Sequence, residues 1–125
     1  VGLRKVMPIV TPGHTPGALS WQWQDCDGEG DACDWIVYAD SLSPVSSDDY
    51  RFSDHPAYVA EYRAGLQRLR EAKCDMLITP HPSSSQMIKR MKAGGLKGGL
   101  SCVDYADSIE QRLDKRLAQE NATDQ

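Results

Sequence analysis

Two of the three histidines stand directly after apolar segments and are enclosed by residues that break regular structure. His14 lies in "TPGHTPG" and His81 lies in "TPHPS". Proline fixes φ and glycine permits positive φ, so both patterns predict stiff, sharply turned loops at strand ends. Neutral imidazole is a common zinc ligand, and layered α/β folds place their sites where rigid loops follow strands. We therefore expect His14 and His81 to bind metal, with a hydrogen-bonded turn histidine as the alternative for each.

A second polar group, "ADSLS", follows another apolar segment. Asp40 is a candidate partner of a metal or of water, and the hydroxyls of Ser41 and Ser43 suit a substrate carboxylate. The alternative is a turn in which these side chains bond to nearby backbone amides. Ser41 lacks the Gly-x-Ser-x-Gly surroundings of a hydrolase nucleophile. His55 precedes Pro56, and we interpret it as a surface residue in a helix cap.

The four cysteines form no Cys-x-x-Cys pair and match no zinc-finger spacing. Four cysteines allow three pairings, and the polar turn in "CDGEGDAC" favours Cys26 with Cys33, which leaves Cys74 with Cys102. Four reduced thiols in a cytosolic protein are the alternative. The even count and the hydrophilic cysteine loop favour disulfides and an oxidising compartment.

The elements that must position these residues follow from hydrophobic periodicity. Strands are predicted at "RKVMPIV", "ALSWQWQDC", "DWIVYADS" and Asp75 to Thr79, the second with the period of a half-buried strand and with its tryptophans packed in the core or on a sheet face. A long polar loop, "SLSPVSSDDYRFSD", then leads to a helix capped by Ser53 or Asp54, with an apolar stripe at Val59, Tyr62, Leu66 and Leu69. A second helix, capped by serines and with Met87, Ile88 and Met91 as its apolar residues, is predicted at "SSSQMIKRMKAGG". A third, with Ile109, Leu113 and Leu117 at four-residue spacing, is predicted at "DYADSIEQRLDKRLAQEN" before a frayed "NATDQ". Together they predict a mixed sheet with helices on one face.

The composition argues against two classes of partner. The chain has 125 residues and a net charge of −4, which suits one ordinary domain and argues against nucleic acid as a partner. No apolar run approaches the roughly 20 residues that span a bilayer, so no membrane partner is expected. The chain starts with Val1 and without the layout of a secretory signal, so we expect it to begin partway into a longer or processed polypeptide.

Four segments together resemble the C-terminal half of zinc-dependent β-lactamases of class B, subclass 3. They are "TPGHTPGALSWQW", "YADSLS", "CDMLITPHPSSS" and "SCVDYADSIEQRLDKRLAQE", in this order, and the likeness runs from about Met7 to Glu120. The Gly-His-Thr-Pro-Gly run is shared by much of the metallo-β-lactamase superfamily, whereas the other segments point to the subclass. The resemblance implies an α/β fold of α+β character, the C-terminal half of an αββα sandwich.

The resemblance also implies roles for single residues. His14 matches a histidine of the first zinc site, and His81 matches the histidine of the second. Ser41 would orient solvent near the second metal, and Ser43 would hold the carboxylate of the β-lactam. Asp40 resembles a bridging aspartate of other superfamily members and ranks below the histidines, because it is not expected to ligate in this subclass.

For the cysteines, the resemblance implies that Cys74–Cys102 is the family disulfide and that Cys26–Cys33 is one found in some members. The complete enzyme would be a periplasmic or secreted bacterial hydrolase that confers antibiotic resistance and uses two zinc ions.

The chain departs from the family at one motif. The His-x-His-x-Asp-His sequence that supplies the other zinc ligands is absent. A catalytic zinc needs three protein ligands, and this chain offers one for each metal. We therefore interpret residues 1–125 as a C-terminal half-domain whose N-terminal half is missing from the chain, cleaved from it or supplied as another chain. Alone it would be inactive, with an uncovered sheet face that promotes association.

Two other functions are compatible with these residues. The first is another hydrolase of the same superfamily, acting on a lactone or a thioester. The second is a non-catalytic fragment that keeps the loops for structure.

Overall fold

The computed structural model describes residues 5–27, 32–47, 49–97 and 100–123. The elements in chain order are β1 (Val6–Val10), β2 (Leu19–Cys26), β3 (Cys33–Tyr38), α1 (Pro56–Glu71), β4 (Met76–Ile78), α2 (Met87–Lys92) and α3 (Cys102–Thr123). Short 3-10 turns at Phe52–Asp54 and Pro82–Ser85 precede α1 and α2. No helix among the described residues is long and apolar enough to cross a membrane.

The four strands form one mixed sheet in the order β1-β2-β3-β4. β2 runs antiparallel to both β1 and β3, whereas β4 is parallel to β3. Consequently β1, β3 and β4 point in one direction, and the loops that follow them leave the same end of the sheet. This confirms the predicted fold class, a mixed sheet with helices on one face.

The hydrophobic core lies between one face of this sheet and the two long helices. Val37 and Leu77 point from the sheet into a buried cluster with residues of α1 and α3. The helical residues in this cluster are Tyr62, Leu66, Leu69, Cys102, Tyr105, Ala106, Ile109 and Leu113. The predicted stripes at three- and four-residue spacing are therefore the buried faces of α1 and α3.

The opposite face of the sheet is apolar and open. Registered neighbours share a face, so Val6 lies beside Trp23 and Val10 beside Leu19 on this side. Trp21 occupies its middle and is 37% exposed, while Val6 is 45% and Val10 50% exposed. The predicted β2 strand is confirmed, and Trp21 lies on a sheet face, one of the two positions predicted for it. The residue of β2 that is fully buried is its polar neighbour Ser20.

Both predicted disulfides are present, Cys26–Cys33 and Cys74–Cys102. Cys26 and Cys33 oppose each other at the end of the β2–β3 ladder, whereas the turn residues 28–31 lie outside the described part of the chain. The second bridge joins the segment before β4 to the first residue of α3. The alternative of reduced thiols is wrong.

The helix ends differ from the sequence predictions. α1 begins at Pro56, and neither Ser53 nor Asp54 caps it because both lie in the preceding 3-10 turn. The three serines before α2 likewise form a 3-10 turn and make no side-chain cap. α3 continues through Thr123 and so includes part of the segment predicted to be frayed.

The predicted apolar stripe of α2 is also wrong. Ile88 and Met91 are exposed, and the buried residue of this short helix is Arg90. Its guanidinium donates hydrogen bonds to the carbonyls of Leu77 (3.0 Å), Ser85 (3.2 Å) and Leu96 (2.7 Å). Burial lowers the pKa of Arg90 from its usual value. α2 is thus held by a polar anchor, which hydrophobic periodicity cannot detect.

The open sheet face yields a test. Replacing Trp21 by Thr removes the largest apolar side chain at the centre of that face and keeps a residue suited to strands. We expect the association constant of the 125-residue chain with itself, measured by sedimentation velocity, to fall about tenfold or more. Trp35→Thr, the same change on the opposite face of the sheet, is the matched control and should leave association unchanged. Equal effects of both variants would show that the open face is not the associating surface.

Candidate functional site

Three loops that carry the candidate residues leave the same end of the sheet. His14 follows β1, Asp40 and Ser41 follow β3, and His81 follows β4. These three strands are parallel to one another, because β2 is antiparallel to both of its neighbours and β4 is parallel to β3. Since β1 and β4 are the two edge strands, the histidine loops approach this end from opposite edges. Both imidazoles are exposed.

The loop of His14 is closed by backbone hydrogen bonds and is also held by a contact with α1. Thr11 N donates to Ala18 O (3.2 Å) and Gly13 N donates to Thr15 O (3.2 Å). The hydroxyl of Tyr58 on α1 donates to Gly13 O, the carbonyl beside His14. The loop is therefore held by the first turn of α1 as well as by its own turn.

Gly13 is needed for space and not for an unusual backbone conformation. A Cβ at this position would lie 2.8 Å from Leu42 Cδ2 and 3.1 Å from the ring of Tyr62. Gly17 has no atom within 4 Å of such a Cβ. Among the described glycines only Gly94 and Gly95 have positive φ. The prediction that the glycines of this loop provide positive φ is therefore wrong, because close packing under His14 is what requires Gly13.

The segment after β3 is fixed by hydrogen bonds from both sides. Ala39 N donates to Ile78 O of β4 (3.0 Å), and Asp40 N donates to the buried Ser20 Oγ (3.0 Å). Ser20 Oγ also shares a 2.9 Å hydrogen bond with Thr11 Oγ1, at the start of the His14 loop. Ser20 thus connects two of the three loops, which explains why a serine occupies an inward strand position.

Tyrosine hydroxyls from the two long helices hold the same segment. Tyr105 on α3 donates to Asp40 O (3.2 Å), and Tyr62 on α1 donates to Leu42 O. Burial raises the pKa of Tyr62, and it raises the pKa of Tyr105 to about 12. Both hydroxyls therefore remain protonated donors at neutral pH. Leu42 is buried between Ser41 and Ser43, which are both half-buried.

His81 follows β4 and precedes the second 3-10 turn. Its carbonyl accepts hydrogen bonds from Thr79 Oγ1 (2.8 Å) and from Ser84 N (2.9 Å). Thr79 Oγ1 also lies 2.8 Å from the buried Ser85 Oγ. The backbone of this histidine is thus fixed while its ring stays accessible.

A cavity of about 380 Å³ opens beside His14. It is lined by Gly13, His14, Pro16, Val45, Ser46, Tyr50, Phe52, His55 and Tyr58. His55 is exposed and is the N-cap residue of α1, as predicted, although its side chain makes no cap hydrogen bond. Its ring instead stacks on Tyr50, with centroids 4.8 Å apart and planes 6° apart. No local pattern predicted this pairing, because the polar loop has no periodicity.

The cavity wall is attached to the end of α3. The buried carboxylate of Glu120 accepts hydrogen bonds from Phe52 N (2.8 Å) and Ser53 N (2.9 Å). Burial by itself would raise the pKa of Glu120, but these bonds, with one from Arg116, lower it below its usual value. Arg116 also donates to Tyr50 O (3.1 Å).

The candidate metal ligands of this chain could form only part of a metal site. Within the described ranges, no three His, Cys, Asp or Glu residues are grouped so that they could hold a metal ion. The four cysteines are joined as disulfides, so their sulfurs are not free to bind metal. The exposed imidazoles of His14 and His81 lie on fixed backbones, and each suits zinc as one ligand among several.

Solved metallo-β-lactamases match the chain over nearly its whole length. MIM-1 from Novosphingobium pentaromativorans matches with 41% identity and a TM-score of 0.88, covering 98% of this chain and 45% of its own. The metallo-β-lactamase MIM-2 matches with 50% identity and a TM-score of 0.88, covering 96% of this chain and 44% of its own. MEM-A1, a subclass B3 enzyme from a soil metagenome library, matches with 30% identity and a TM-score of 0.88, covering 98% and 49%.

The chain spans slightly less than half the length of these structures, and the part it matches is their C-terminal half. No protein-family model matches the chain.

The packing under His14 yields a matched pair of variants. In Gly13→Ala the new methyl group collides with Leu42 and Tyr62, so we expect a loss of about 1–3 kcal/mol in the free energy of unfolding, measured with urea. Gly17→Ala, in the same loop, meets open space and should change it by less than about 0.5 kcal/mol. A similar effect of both variants would contradict the role of close packing.

The carboxylate of Glu120 yields a prediction about pH. Glu120→Gln should cost about 1.5–3 kcal/mol of unfolding free energy at neutral pH, because charge-assisted hydrogen bonds are lost. The folded-state pKa is lowered, so the stabilisation is complete above the unfolded value near 4.3 and disappears as pH falls through the folded pKa. The difference between wild type and variant, measured by urea unfolding, should therefore be constant above about pH 5 and shrink below about pH 4. For comparison, Glu61→Gln changes an exposed glutamate of α1 and should give a small difference. If the difference for Glu120→Gln stayed equally large in acid, the stabilising role of the ionised Glu120 carboxylate would be contradicted.

Proposed function

We propose that this chain, which matches the C-terminal half of subclass B3 metallo-β-lactamases in fold and sequence, contributes half the active site of a zinc-dependent β-lactam hydrolase. The observation that carries the proposal is the position of His14 and His81. Both are accessible imidazoles on fixed backbones, and both lie at the end of the sheet from which the loops of three parallel strands leave. Their approach from opposite edges suits one ligand for each of two neighbouring ions.

The chain's own residues would have distinct tasks. His14 and His81 would each hold one zinc ion, as neutral imidazoles do in many zinc sites. When bound, zinc supplies Lewis acidity and lowers the pKa of water that it coordinates. Ser43 would hold the carboxylate of the β-lactam and Ser41 would orient solvent, while Asp40 is a lesser candidate as a ligand. The tyrosine hydroxyls that fix Asp40 O and Leu42 O would keep these side chains in place before substrate arrives.

The remaining ligands would come from an N-terminal half outside residues 1–125. A catalytic zinc needs three protein ligands, and the described residues provide no such group. The same N-terminal half would cover the open sheet face around Trp21, since large apolar patches are rarely left in water. Alone, the chain would therefore lack activity.

The cysteines support a proposal about the compartment. Two disulfides persist in oxidising surroundings and are rare in the cytosol. We infer a periplasmic or secreted enzyme, where it would meet β-lactam antibiotics before they reach the cell wall machinery.

The test uses the longer protein that contains this chain. His14→Ala and His81→Ala should each lower zinc content by about one ion per molecule in native mass spectrometry, and should lower the kcat/KM for a chromogenic cephalosporin at least about a hundredfold. His55→Ala removes the third histidine and should retain the full zinc content. Full zinc content in His14→Ala would refute its role as a ligand.

A parallel assay separates the substrate classes. Turnover of a thioester or a lactone without turnover of any β-lactam would replace the proposed reaction by that of another hydrolase of the same superfamily. Absence of stoichiometric zinc in the wild-type protein would instead favour a non-catalytic role.

A further inference from the structure

We propose that the cavity beside His14 is a subsite for an uncharged aromatic side chain of the β-lactam substrate, with His55 as its specificity-determining residue. This inference rests on the proposed function, since it concerns the substrate of that site. It assigns a role to the third histidine, which the metal site does not use.

The size and chemistry of the cavity suit such a group. Its volume of about 380 Å³ falls within the range of small-molecule sites, which are mostly apolar with a few polar groups. Among the described residues, the nine that line the cavity include no Asp, Glu, Lys or Arg. A charged side chain would lose its hydration there without gaining an ionic partner, so the lining favours an uncharged one.

The wall of the cavity is aromatic. His55 and Tyr50 stack in parallel at 4.8 Å, and Phe52 meets Tyr50 edge to face at 5.2 Å with planes 82° apart. Tyr58 completes the lining from the first turn of α1. Flat rings gain from both stacked and edge-to-face contacts, so a phenyl or a similar heteroaromatic group is the matching ligand.

The wall is also held in place before any ligand binds. Arg116 donates to Tyr50 O (3.1 Å) and lies over the ring of Phe52 at 5.8 Å. The carboxylate of Glu120 binds the backbone N–H groups of Phe52 and Ser53. Such preorganisation reduces the ordering cost of binding, which distinguishes this wall from a loop that must fold around its ligand.

The position of the cavity connects it to the reaction. His14, the proposed zinc ligand, lines the cavity, and Ser46 at its rim lies three residues after Ser43. A β-lactam held at these residues would have the cavity next to it. The side chain at the far end of the substrate is the part that varies among β-lactams, so this cavity would select among them.

The experiment compares two substrates in the longer protein that contains this chain. Benzylpenicillin carries a phenyl side chain, and 6-aminopenicillanic acid is the same nucleus without it. We expect His55→Ala to raise the KM for benzylpenicillin about 3- to 10-fold, the range for loss of one aromatic contact, with kcat nearly unchanged. The KM for 6-aminopenicillanic acid should change less than about twofold. His55→Phe keeps an aromatic ring on Tyr50 and should restore the wild-type KM for benzylpenicillin.

A binding measurement separates this inference from the proposed function. NMR of the metal-free longer protein follows the His55 ring protons during titration with each compound, without any need for turnover. Benzylpenicillin should shift them at concentrations where 6-aminopenicillanic acid does not. If the wild-type protein hydrolyses no β-lactam but benzylpenicillin still shifts these protons, the proposed function fails and the aromatic subsite stands. Equal shifts with both compounds, no shift with either, or equal KM changes for both substrates would overturn the subsite.

Discussion

Hydrogen bonds from tyrosine hydroxyls to backbone carbonyls are the interactions on which the candidate site depends. Tyr58, Tyr62 and Tyr105 donate to the carbonyls of Gly13, Leu42 and Asp40. Each acceptor is adjacent in sequence to a candidate site residue. The donors lie on α1 and α3, whose apolar faces form the core, so packing of the core and placement of the site are parts of one arrangement. A change that moves either helix on the sheet would also move the loops.

The two faces of the sheet have different environments. The face toward α1 and α3 contains the buried Val37 and Leu77, and its polar Ser20 is satisfied by Thr11 and Asp40. The other face is as apolar, yet Trp21 and its neighbours meet solvent. A sheet that is apolar on both sides is typical of the middle layers of a sandwich, in which each face needs its own cover. The described residues supply one of these two covers.

Local sequence patterns predicted the helices and strands. The features that they did not predict depend on contacts between residues far apart in the sequence. The spacing of Tyr62, Leu66 and Leu69 identified the buried face of α1, and strand ends followed by prolines identified the loops of His14 and His81. Alternation in β2 located the strand but could not say which face the helices cover. The turn before α1 is capped by Glu120, which is remote in sequence, so no local rule could assign it. The stacking of His55 on Tyr50 likewise arises from a loop without periodicity.

The division of the sheet also has a consequence for how such a protein reaches its native state. Because one face of the sheet, both long helices and two disulfides already make a closed core, this part of the chain contains what a cooperative folding unit requires. Its open apolar face would promote aggregation for as long as nothing covers it, because exposed strands and apolar surface are where aggregation starts. The yield of folded protein would then depend on how fast this face is covered, as well as on the stability of the folding unit itself.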